Sequence, residues 1–166
     1  MYTISTKPGG TGRAVLVAAA VLASGMLAVD ASAQEVIQLT QTGCQFLEPE
    51  GTDHHYQTSK ADDCNAINAA TGGERVAAAK VLELKPGKYV FRVTNENVPY
   101  ELGFWLREED YNWKNPLDKL TKISVSGGGL TPGKTQDYDV ELKPGTYLYS
   151  CPLNPTPDYK LVVSGG

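Results

Sequence analysis

The sequence is short of the side chains from which most metal and catalytic centres are built, with two histidines, three cysteines and two methionines in 166 residues. The histidines, His54 and His55, are immediate neighbours, an arrangement that serves poorly for two ligands of one ion. Both methionines, Met1 and Met26, fall before residue 34. There is no Cys-x-x-Cys redox pair and no Cys-x-x-Cys-His haem attachment. No histidine stands beside a plausible nucleophile in the second half of the chain. The acid pairs Asp62-Asp63 and Glu108-Glu109 are sequence neighbours, a poor basis for acid–base chemistry. The run Gly127-Gly128-Gly129 is followed by no helical pattern, so it reads as a flexible link and not as a phosphate cradle. Basic residues form no run, which argues against a nucleic-acid partner. Together these absences argue against an enzyme.

What is present begins with an address. Lys7 and Arg13 precede an apolar stretch, Ala14 to Val29, and then Ala31-Ser32-Ala33. That order reads as a secretory signal over residues 1–33, cleaved after Ala33. The apolar stretch is short for a membrane anchor and no second one follows. The expected mature chain, residues 34–166, is one domain in length. Losing Lys7, Arg13 and Asp30 takes the formal charge from −4 to −5. Cys44, Cys64 and Cys151 are then expected in an oxidising space, where one pair can close and one thiol is left over. Sequence alone leaves all three pairings open.

The carboxyl-terminal half alternates. Leu142-Lys143-Pro144-Gly145-Thr146-Tyr147-Leu148-Tyr149-Ser150-Cys151 runs as a strand into a cysteine and stops at Pro152. Tyr147, Tyr149 and Cys151 share a face because strand side chains repeat every two residues, so the thiol reaches the sheet rim. Further strands are expected at about Val36–Thr40, Glu101–Arg107, Lys122–Val125, Gln136–Glu141 and Tyr159–Val163. Pro86-Gly87, Pro132-Gly133 and Pro144-Gly145 mark turns. Leu84-Lys85-Pro86-Gly87-Lys88-Tyr89 and Leu142-Lys143-Pro144-Gly145-Thr146-Tyr147 are near copies, which suggests paired hairpins on two sheets. Residues 45–80 interrupt this pattern as a helical insertion, with helical patches at Asp62–Ala70 and Glu74–Lys80. About seven short strands with frequent turns imply an all-β sandwich. Tyr89, Phe91, Tyr147 and Tyr149 are expected to pack in its core. Trp105 and Trp113 flank the charged segment 107–110, either as a docking surface or as loop anchors.

Several segments taken in order resemble cupredoxins, and more closely the EfeO-type cupredoxin-like domains of periplasmic iron-uptake systems and stand-alone periplasmic proteins. They are Gly43-Cys44, the Leu84 to Asn95 strand, Tyr100-Glu101-Leu102-Gly103-Phe104, Leu130-Thr131-Pro132-Gly133, and the Leu142 to Cys151 strand continuing through Asn154-Pro155 to Val163. The resemblance implies a Greek-key β-sandwich whose first strand runs parallel to the Tyr89 strand. A blue-copper site uses two histidines, a cysteine and a weak methionine. Here Tyr100 and Asn154 stand where the resemblance places the histidines, and an ordinary blue-copper centre is not expected. The EfeO-type resemblance implies instead a site made of Cys44, Cys151 and Glu101. The family's second glutamate has no counterpart in Ser124-Val125-Ser126-Gly127-Gly128-Gly129. The insertion adds His54 and Cys64 as further candidate ligands.

The expectation is therefore a periplasmic protein that binds a transition metal, copper before iron because thiolate favours the softer ion, for metal or electron transfer. Its partner would be another periplasmic or membrane-associated protein. The competing expectation is a metal-free binding module that uses cysteines as staples and recognises a protein through the Trp105 to Trp113 face.

Overall fold

A computed structural model describes residues 34–165, so the expected signal segment lies outside the described residues. Within them no helix is long and apolar enough to cross a membrane. The elements run β1 (Glu35–Thr42), β2 (Gln45–Phe46), α1 (Leu47–Glu50), α2 (Ala61–Ala78), β3 (Leu82–Leu84), β4 (Gly87–Asn95), β5 (Leu102–Glu108), α3 (Pro116–Thr121), β6 (Ser124–Leu130), β7 (Thr135–Leu142), β8 (Gly145–Ser150) and β9 (Tyr159–Val163). The strands form two sheets, ordered β2-β1-β4-β7 and β3-β9-β8-β5-β6. β1 is parallel to β4, with Glu35 opposite Tyr89 and Gln41 opposite Asn95. This is the expected cupredoxin-like sandwich; the stretch 45–80, read as a helical insertion, opens with strand β2 and then carries α1 and α2 before β3.

Alternation decides which faces meet. On β4, Tyr89, Phe91, Val93 and Asn95 are buried while Lys88, Arg92 and Thr94 are not. On β7, Tyr138, Val140 and Leu142 point inward and Asp137, Asp139 and Glu141 point out. The inner faces close around Phe46, Phe91, Phe104, Tyr138, Tyr149 and Tyr159. On the outer face Arg92 forms a bidentate pair with Asp137 directly across the strand pair, at 2.7 Å for each bond.

The near-copy turns are sheet crossings and not the expected hairpins. Pro86-Gly87 carries the chain from β3 in one sheet to β4 in the other, and Pro144-Gly145 carries it from β7 back to β8. Each corner is closed by its tyrosine. Tyr89 Oη donates to Lys85 O at 2.8 Å, and Tyr147 Oη donates to Lys143 O at 2.9 Å. A buried ring thus satisfies its hydroxyl on the corner it must turn.

Three other expectations change. The two helical patches are one helix, α2, which continues through Thr71-Gly72-Gly73. Gly72 is buried on the side of Pro157, and a Cβ there would make only ordinary contacts, so the helix tolerates the glycine pair without needing it. The glycine run is not a loose link, since Gly127, Gly128 and Gly129 lie in β6. A Cβ on Gly103 would meet Gly127 O at 2.6 Å, so β5 approaches β6 there only without a side chain, and a Cβ on Gly127 would meet Tyr138 Cε1 of β7 at 2.9 Å. Finally, α3 interrupts the alternating pattern expected of the carboxyl-terminal half, and Asn115 caps it by accepting from Leu117 N.

Candidate metal centre

The pole of the sandwich is assembled from four stretches: the β1–β2 turn, the loop before β5, the segment after β8 and the start of α2. Gly43-Cys44 makes the turn, and a Cβ on Gly43 would collide with Tyr56 O at 2.3 Å. Asn95, buried at the end of β4, shapes the second stretch. Its Nδ2 donates to Val98 O, Tyr100 O and Leu130 O, and its Oδ1 accepts from Val98 N. That clasp presents Tyr100 and Glu101. The strand ending at Ser150 delivers Cys151, as its alternation requires, and Pro152 turns the chain so that Asn154 folds back over it. At the head of α2, the Asp63 carboxylate accepts from Ser59 N, Ser59 Oγ and Lys60 N. The Ser59 bonds hold that carboxyl below its usual range. Cys64 follows at once.

Cys44 and Cys64 are joined in a disulfide, and Cys151 is a buried free thiol. This corrects the expected ligand set, because sulfurs bonded to each other are not thiolates available to an ion. It selects the pairing that ties the insertion to the sandwich. Asn154 is the centre of the arrangement. Its Oδ1 accepts from Cys44 N at 3.0 Å and Tyr100 Oη at 3.2 Å, and its Nδ2 donates to Thr42 O at 2.9 Å. Cys64 Sγ lies 3.1 Å from the same Oδ1, a contact and not a hydrogen bond since this sulfur carries no proton. Tyr100 and Asn154, at the positions where the cupredoxin resemblance places imidazoles, thus bond to each other beside the disulfide.

Cys151 Sγ accepts from Gly103 N at 3.3 Å and Asn154 N at 3.2 Å. Burial pushes the thiol up, against the opposing pull of these N–H groups and of Gln41. Gln41 is fully buried, donates from Nε2 to Gly103 O at 2.8 Å, and leaves its Oε1 without a partner. Neither Gln41 nor Asn95 stood out from the sequence as a single residue, because each acts through partners distant along the chain.

The remaining candidates are occupied elsewhere. Glu101 is exposed, and its Oε1 accepts from Gly129 N at 2.8 Å, bracing β6 against the start of β5. His54 Nε2 pairs with Glu50 Oε2 at 2.8 Å, while His55 Nδ1 faces Asp53 Oδ2 at 3.3 Å. Glu50 also receives Arg75 Nε and Nη2 at 3.0 and 2.7 Å, together with Tyr159 Oη. Arg75 reaches on to Cys44 O at 2.9 Å. His54 therefore borders the Glu50–Arg75 pair that docks the insertion and does not belong to the sulfur pole. Among the described residues no group of three or more His, Cys, Asp or Glu side chains is arranged to hold a metal ion.

No protein-family model matches this chain, and no curated protein matches it. Among solved structures, auracyanin B, a cupredoxin, is similar at 15% identity and a TM-score of 0.46, over 78% of this chain and 88% of that one. The fold is cupredoxin-like. That statement rests on the strand order and the parallel β1–β4 register. The closer EfeO-type likeness stays a resemblance of sequence motifs.

Proposed function

We propose that the protein is a secreted, periplasmic cupredoxin-fold module that keeps no resident copper or iron, catalyses no reaction and works by recognising another protein. One observation carries the reading: the donor groups at the pole are already engaged, Glu101 through one of its two oxygens. Two of its three sulfurs share a bond, Tyr100 donates to Asn154, and Glu101 accepts from Gly129 N. A copper site of this fold needs two imidazoles around a thiolate. What is left is a single buried thiol, a donor set that does not fit the ion.

Recognition is assigned to the face beside the pole. Trp113 is 59% exposed and Leu153 43% exposed, and they border an apolar groove with Trp105 and Pro152 whose floor is Gly127 and Gly128. Leu117 and Leu120 are exposed on α3 nearby in sequence, an unusual density of uncovered apolar side chains. Lys114, stacked over Trp113, and Lys119 on α3 make no ion pair among the described residues. The complementary partner is a protein segment that offers an apolar side chain to the glycine floor and acidic residues to these lysines.

The copper or iron carrier is the second reading. It is favoured by the two backbone N–H groups directed at Cys151 Sγ, which stabilise a thiolate. Desalting the oxidised protein after loading with Cu(I), Cu(II) or Fe(II), followed by metal analysis, separates the two. The module reading expects less than about a tenth of an equivalent retained. One equivalent held by the wild type and lost in Cys151→Ala would establish the carrier instead.

A further inference from the structure

All three sulfurs of the described chain are buried, and Asn154 touches two of them, Cys64 Sγ through its side chain and Cys151 Sγ through its backbone. Asn154 Oδ1 lies against Cys64 Sγ at 3.1 Å and accepts from Cys44 N at 3.0 Å, while Asn154 N donates to Cys151 Sγ at 3.2 Å. The disulfide and the free thiol are thus on two sides of a residue anchored by its Nδ2 to Thr42 O. Cys44 and Cys151 both belong to the sandwich, at the β1–β2 turn and at the end of β8. Cys64 rides on α2, of whose eighteen residues only Cys64, Gly72 and Arg75 are buried.

We propose that the pole is a thiol–disulfide exchange switch, in which Cys151 displaces Cys64 from Cys44 and Asn154 is the spacer that restrains it. The Cys151 thiolate attacks Cys44 Sγ, a Cys44–Cys151 bond forms, and the Cys44–Cys64 bond breaks. Cys64 leaves as a thiolate and takes up the proton that Cys151 lost. One disulfide and one thiol exist before and after, so no outside oxidant or reductant enters the balance. The exchanged form closes a bridge wholly within the sandwich and releases α2 from its covalent tether. The helix would then be held by Arg75 on Glu50 and Asn68 on Pro155. Such a form presents a different pole surface without unfolding the core. The attack requires the thiolate, and burial of Cys151 keeps the proton on, so the exchange is slow at neutral pH.

Two measurements test this. In full-length Cys64→Ser treated with diamide, acid quenching, denaturing alkylation and peptide mass mapping should find Cys44 bonded to Cys151 within the monomer. Two alkylated thiols, or only intermolecular dimers, from a variant whose near-ultraviolet circular dichroism shows a folded state would overturn the proposal. If that variant does not fold, the wild type decides. Incubation between pH 6 and pH 9, quenched and mapped in the same way, should reveal chains alkylated at Cys64. Their rate of appearance should rise about tenfold per pH unit, and faster still in Asn154→Ala. Alkylation confined to Cys151 at every pH and in Asn154→Ala overturns it.

Discussion

Phe104 meets four aromatic rings inside the sandwich, those of Phe46, Phe91, Tyr138 and Tyr149. Helix α2, eighteen residues long, buries only Cys64, Gly72 and Arg75. The first region is held by a shared apolar interior, where each side chain supports many others. The second is held at points: a disulfide, an ion pair reinforced by Tyr159 and His54, and Asn68 on Pro155 O. Point attachment makes an element whose position depends on a few bonds, which is why the exchange of one sulfur can matter to it.

The comparison breaks most visibly in the core. Phe104→Ala is expected to cost about 4 kcal/mol in urea unfolding and to lower amide protection everywhere in proportion. Arg75→Ala should cost about 3 kcal/mol, since a buried carboxylate loses its cation while His54 and Tyr159 still donate to it. Its signature should be local. Hydrogen exchange should accelerate in 61–78 and leave β4 and β8 protected, and an equal loss in both regions would refute the division. The smallest effect concerns pH. Burial raises the Cys151 thiol above its ordinary value, so the folded state keeps a proton that the unfolded chain sheds above about pH 9. Stability from this source is complete below that value and is lost as pH rises through the folded one, by at most about 1.4 kcal/mol per unit. Wild type and Cys151→Ala compared in urea from pH 8 to 11 should differ in slope there, and parallel curves would remove the thiol from the account.

The strands were legible because β4, β7 and β8 carry a period of two that local chemistry does not disturb, and because Pro-Gly pairs mark their corners. The rim position of Cys151 followed from the same count. Where β6 departs from expectation, the deciding contacts are distant in sequence. α2 runs on through Gly72 and Gly73 where two separate patches are expected, and the three glycines that read as a link lie in β6, packed close to Gly103 and Tyr138. Alternation says nothing about which side of a corner lies in which sheet, so both tyrosine corners read as hairpins in the sequence. At the pole, Cys44, Glu101, Cys151, His54 and Cys64 were each visible as chemistry-bearing residues. Their pairing was not, because three cysteines allow three bridges and only the docking of α2 chooses among them. Gln41 and Asn154 gain their roles from partners 62 and 110 residues away, beyond the reach of any local pattern.

The state of the sulfurs tests the metal-free pole most directly. Intact-mass thiol counting of the oxidised protein under denaturing, non-reducing conditions, with peptide mapping, should find one alkylated cysteine, Cys151, and a bond between Cys44 and Cys64. Three free thiols in the protein as it is isolated from an oxidising compartment would contradict the account and return all three sulfurs to the metal.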